Sequence, residues 1–170
     1  MTTTIVGKGK CVFLQPQTLL FNTFIFFFIS MEEKFYFCDS CGNLLVTAID
    51  SGVEPYCCGE EMTLLVPNAT DGNLDKHVPV VTYTSKHSMK VKIGEMPHPM
   101  TSEHNIRFVC LVTNVGFILR YLEEGSAPEV CICFNGKPVA IYAYCNIHGL
   151  WRADAPEIPS ECNDKACETM

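Results

Sequence analysis

IRFVCLVTNVGFILRY, residues 106–121, holds two β-branched and aromatic runs, Ile106–Thr113 and Gly116–Tyr121, parted by a short turn. Neither run has helical spacing. Working outward, similar runs occupy Val78–Thr84, Met89–Gly94, Glu129–Phe134 and Lys137–Tyr144. His87, in Ser85-Lys86-His87-Ser88, falls in a hairpin turn between the first two of these. Asn135-Gly136 lies between the last two and is the strongest hairpin signal, since both residue types accept the positive φ of a tight primed turn. Short strands at close spacing, with no intervening helices and no internal repeat, predict an all-β fold, an antiparallel sandwich or barrel.

Upstream, Pro67-Asn68 and Asp71-Gly72 mark a linker. Before it, residues 31–67 make a small module: Phe35–Phe37, a strand at Leu44–Ile49, a turn at Asp50-Ser51-Gly52, and Cys57-Cys58-Gly59. Units below about 40 residues have too little core to stand alone, so a bound metal is the expected staple. Residues 68–154 form the larger β domain, and the Pro-, Glu- and Asp-rich segment 155–170 is expected to be mobile. In residues 1–30, Lys8 and Lys10 precede an apolar run, Leu19–Ile29, far short of the roughly 20 residues a helical span needs. No small-residue cleavage site follows, and the chain reads as a fresh start at Met31. Residues 1–30 are therefore expected to be an upstream artefact of start-site choice, with a targeting or anchoring segment as the alternative.

The chain has 170 residues, 48% hydrophobic and 18% charged, which suits a packed core rather than wholesale disorder. Its net charge of −7 argues against nucleic acid as partner, because that binding needs a basic face. An anionic substrate would need a local positive site. Eleven cysteines, an odd number, argue against complete internal pairing.

Cys38-Asp39-Ser40-Cys41 puts two thiols on one tight turn, and Cys57-Cys58 supplies two more. Four thiolates select iron or zinc, and spacing alone leaves the two at even odds. Because neighbouring side chains on an extended backbone point to opposite faces, Cys57 and Cys58 can share one ion only if the chain is distorted there. A second group, His77, His98, His104, Cys145 and His148, takes four of the five histidines in the chain. Pro97 and Pro99 restrict the backbone around His98 and pre-aim its ring. Cys145-Asn146-Ile147-His148 offers a thiolate and an imidazole from one turn.

Cys38-x-x-Cys41 followed by Cys57-Cys58-Gly59-Glu60 resembles the desulforedoxin module at the front of desulfoferrodoxins. Asp75-Lys76-His77-Val78-Pro79, His98-Pro99-Met100, Glu103-His104 and Tyr144–Gly149 are similar, in order and spacing, to the superoxide reductase domain of that family. The likeness covers roughly residues 33–153. It implies an immunoglobulin-like β-sandwich, and iron rather than zinc at the four cysteines. It also implies a second, ferrous iron held by four equatorial imidazoles and the axial thiolate of Cys145, with one open position. The activity implied is reduction of superoxide to hydrogen peroxide in the cytoplasm, with electrons from a rubredoxin-like donor, no membrane, and a homodimer. Lys76 is then the cation that guides the anion to the iron. Where the family commonly has glutamate before this lysine, the chain has Asp75, one methylene shorter, so ligation of oxidised iron by this side chain is in question.

The alternatives are a non-catalytic iron electron carrier, which leaves the second group unexplained, and a zinc-stabilised binding module. Cys110, Cys131 and Cys133, within predicted strands, are expected to be small buried apolar residues. Cys162 and Cys167 could pair reversibly in the tail, without a sequence warrant for a redox role; Cys11 belongs to the doubtful extension.

Overall fold

The computed structural model describes residues 33–69 and 74–163. The order is β1 (Phe35–Phe37), β2 (Leu44–Val46), β3 (Tyr56–Cys57), β4 (Glu60–Glu61), β5 (Thr63–Leu64), α1 (Leu74–His77), β6 (Pro79–Ser85), β7 (Ser88–Ile93), β8 (Ile106–Thr113), β9 (Gly116–Tyr121), β10 (Glu129–Cys133), β11 (Pro138–Cys145) and β12 (Gly149–Asp154). The expected all-β architecture is present. Expectations placed on residues 1–30 and on Cys167 lie outside the described residues.

Two antiparallel sheets, β10-β7-β6 and β12-β11-β8-β9, face each other. Between them lies a core of Met89, Val91 and Ile93 from one sheet against Val109, Leu111, Ile141, Ala143 and Trp151 from the other. β8 is apolar on both faces because both are covered. Its other face, Phe108, Cys110 and Val112, joins Tyr142 and Leu150 in a second cluster under Phe35 of β1. That explains why residues 106–113 read as a continuous run rather than an alternation.

The small module thus sits on the outer face of the four-stranded sheet. Phe35, 1% exposed, is its anchor, a burial that stabilises by about 2–3 kcal/mol. β1 carries alternate residues to opposite sides: Phe35 faces the sandwich, while Tyr36 and Cys38 enter a third cluster with Met62.

Three expectations are corrected. Asn135-Gly136 is no hairpin: β10 pairs with β7, and β11 pairs with β8 and β12, so the dipeptide crosses between sheets. It is tied to the β8–β9 turn, where Lys137 N donates to Asn114 Oδ1 at 2.7 Å and Asn114 N donates to Lys137 O at 2.9 Å. Gly136 still has φ +78°, so the positive-φ signal was real, but burial of Ile132 and Ala140 in different sheets decides the pairing. The tail is ordered as far as Asn163. Ala155 and Ile158 pack on the main core, Tyr83 donates its hydroxyl to Pro156 O at 2.7 Å, and Lys86 N donates to Asn163 O at 3.0 Å. Of Cys110, Cys131 and Cys133, only Cys110 is buried; Cys131 is exposed, and Cys133 is half-buried and disulfide-bonded.

Candidate metal centres

Cys38, Cys41, Cys57 and Cys58 converge, with all four sulfurs within 4.8 Å of one another. Sulfur separations of 3.5 Å for Cys41–Cys57 and 3.9 Å for Cys57–Cys58 bracket the edge of about 3.8 Å of a tetrahedron with bonds of about 2.3 Å. The distortion expected at Cys57-Cys58 is present. β3 and β4 form a hairpin whose two turn residues, Cys58 and Gly59, have φ of 53° and 85°. This is the primed turn that twisted strands favour, with cysteine in the usual place of asparagine. Cys38 is held by its N–H to Asn43 O at 2.8 Å, and Gly42, with φ +75°, closes the first turn by donating to Cys38 O at 2.8 Å. The Asn43 backbone N–H, then the neighbouring thiols, pull the Cys41 pKa down to about 7, so thiolate is accessible there.

His77, His98, His104, His148 and Cys145 form the second group, again within 4.8 Å. Neighbouring rings are 4.6 Å apart for His77–His98, 4.5 Å for His98–His104, 4.8 Å for His104–His148 and 4.7 Å for His148–His77. The cross-distance His77–His104 is 6.3 Å, close to the diagonal of a square of that side. Each neighbouring pair is edge-to-face, at 67–78°, as the blades of a propeller would be. The Cys145 sulfur lies 3.5 Å from His148 Nδ1, which is 3.0 Å from His77 Nε2.

Short local structures aim these groups. His77 ends α1 and is stacked on Trp151 at 4.5 Å. His98 donates Nδ1–H to Pro99 O at 2.5 Å, so its Nε2 carries the lone pair and faces the group. The His104 loop is lashed to the Cys145–His148 turn: Asn105 N donates to Asn146 Oδ1 at 2.9 Å, and Asn146 Nδ2 donates to Glu103 O at 2.8 Å. Cys145 ends β11 on the core side and receives the backbone N–H groups of Ile147 and His148.

His98 Nε2 and His104 Nε2 are buried without a hydrogen-bond partner, which is costly unless something else occupies the lone pair. Burial, then the nearby histidines, drives the His98 pKa down to about 4, and burial likewise lowers His104. Both rings are thus kept neutral, as metal ligands must be. Burial raises the Cys145 thiol pKa, opposed by its two N–H donors. The donor set, four imidazoles and one thiol, fits an ion with five protein ligands.

Lys76 is half-buried and its charge reaches His104, contributing to the lowered pKa there. Asp75 is exposed and lies outside the five-residue group. His87 lies in the β6–β7 turn, away from both groups. Trp151 and the two asparagines were missed from sequence, Trp151 because β12 was not recognised as a strand.

Residues 69–154 match the family model described as Desulfoferrodoxin. The chain is similar to the desulfoferrodoxin of Nitratidesulfovibrio vulgaris, 37% identical over 73% of this chain and 98% of that one. Against the desulfoferrodoxin of Syntrophotalea carbinolica it is 36% identical over 73% of this chain and 99% of that one. The superoxide reductase from Treponema pallidum has a similar solved structure, with TM-score 0.61, 32% identity, and coverage of 72% of this chain and 98% of that one.

Proposed function

This chain belongs to the desulfoferrodoxin family, and on that premise we propose that it is a superoxide reductase, with His77, His98, His104, His148 and Cys145 as ligands of the catalytic iron. Its two ligand groups match the two iron sites of the family. The observation that carries the reading is the square of four imidazoles with two orphaned buried Nε2 atoms beside a buried thiol. The four imidazoles and Cys145 would hold a ferrous iron, which would supply the single electron that superoxide needs.

The chain's own residues do the rest. Pro99 O fixes the His98 tautomer, and the asparagine clasp fixes His104 against His148. The N–H groups of Ile147 and His148 stabilise negative charge on Cys145. Lys76 attracts the anion to a molecule that as a whole repels it, and Asp75, exposed beside it, carries a side chain one methylene shorter than the glutamate usual in the family. The two protons that complete hydrogen peroxide come from solvent. A small redox protein of the rubredoxin kind as donor, and a homodimer, follow from the family resemblance.

The test is metal content together with product stoichiometry. Two irons per chain, and peroxide formed in step with consumption of an added reductant, are expected. Zinc alone, or dioxygen released without reductant, would overturn the reading.

A further inference from the structure

β11, and β1 with the residue that follows it, each carry a proposed iron ligand on one side and an aromatic ring on the other. Directly after β1, Cys38 shares the module's interior with Tyr36, and Phe37 points the opposite way. In β11, Cys145 belongs to the core between the sheets, and Tyr144 lies against the outer cluster. These two outward rings meet: Phe37 and Tyr144 have centroids 6.3 Å apart at 36°. The two ligand groups are therefore joined by Cys38, one peptide bond, Phe37, one ring contact, Tyr144, one peptide bond and Cys145. Only one gap in that route is not covalent.

We propose that the Phe37–Tyr144 contact is the path by which an electron passes, within one chain, from the four-cysteine site to the five-ligand site. The proposal rests on the superoxide reductase reading. One electron leaves the first iron, which goes from ferrous to ferric, and one arrives at the second, which goes from ferric to ferrous; no bond is made or broken. The other aromatics of this layer, Phe35, Phe108 and Tyr142, have no ligand as chain neighbour, although Phe108 stacks on Tyr144 at 5.6 Å.

The experiment starts from protein reduced at both sites. A pulse of superoxide oxidises the second site, and the visible absorption of the four-cysteine site then reports its own oxidation as it refills the second. That second phase is expected to be independent of protein concentration, to slow severalfold in Phe37→Leu and in Tyr144→Leu, and to keep its rate in Tyr144→Phe, which retains the ring. Phe108→Leu, off the path, should also keep its rate. In zinc-loaded protein, which has no redox activity, NOEs between the Phe37 and Tyr144 rings should be present in the parent chain and in Tyr144→Phe. Equal second-phase rates in the parent and both leucine variants, or absence of the NOEs, would overturn the path. Absence of the first phase in the parent chain would instead sink the superoxide reductase reading.

Discussion

Cys58 has φ 53°, one of two positive values on non-glycine residues among the described residues, the other being Asn68. Left-handed backbone costs a residue with a Cβ about 1–2 kcal/mol, whereas a structural metal bound by thiolates returns on the order of 10 kcal/mol. The metal therefore sustains the strain, and Cys58→Gly separates the two effects. It keeps the turn and removes the sulfur, so the four-cysteine site should lose its metal and its visible spectrum while metal content at the five-ligand site is retained. Loss of both metals would show that the sites are not independent. Cys145→Ser is the converse case. With its sulfur replaced by a hydroxyl, superoxide reduction should disappear, by stopped-flow assay, while the four-cysteine spectrum remains. Native turnover in that variant would remove Cys145 from the reaction. At this scale the sequence was informative: all nine proposed ligands were picked out by residue type and spacing, and the structure gathers them into two groups. The supporting residues were less visible, because Pro99 acts through its carbonyl and Ile147 through its N–H, groups that every residue has.

Among the elements, β8 and β9 were read with the bounds the structure gives them, since long β-branched runs ended by a tight turn have few alternatives. The Asn135-Gly136 dipeptide misled because a turn signal reports local φ and not the sheet to which the next strand goes. β12 was overlooked because Gly149 follows directly on a ligand turn and its strand carries Arg152 and Asp154 among its residues. The segment after it was expected to be mobile on composition, yet Ala155 and Ile158 supply the apolar contacts that order it. Gly94 shows how an element places a ligand. Its φ is +76°, and a Cβ there would lie 2.5 Å from the backbone carbon and oxygen of Lys76, inside the turn that delivers His77. Gly94 N also donates to Val78 O at 3.1 Å, and Met96 N to Asp75 O at 3.1 Å. Gly94→Ala should cost more than the roughly 1–2 kcal/mol of left-handed strain alone, because backbone and not a side chain must move. Urea unfolding should show that loss, and metal content at the five-ligand site should fall with it. A variant of unchanged stability and full metal content would mean that α1 yields without displacing His77.

The whole molecule carries a net charge of −7 and its proposed substrate is an anion, so long-range electrostatics oppose encounter. Lys76 is the countervailing local charge. It is half-buried beside His77, and its field is felt at His104 on the far corner of the histidine square. Partial burial weakens screening by mobile ions, whose Debye length is about 8 Å at physiological ionic strength. Two salt effects of opposite sign are therefore superposed in the parent chain. Added salt weakens the attraction of Lys76, which slows encounter, and weakens the repulsion of the whole, which speeds it. Lys76→Ala removes only the first. The second-order rate constant for superoxide should fall at low salt by about tenfold, the lower end of what steering supplies. Its dependence on ionic strength should then change direction, with rates rising as salt is added instead of falling. Lys76→Arg, which keeps the charge, should keep the parent's slope. A stopped-flow or pulse-radiolysis series over ionic strength reads all three slopes, and an alanine variant with the parent's slope would show that the lysine does not guide the substrate.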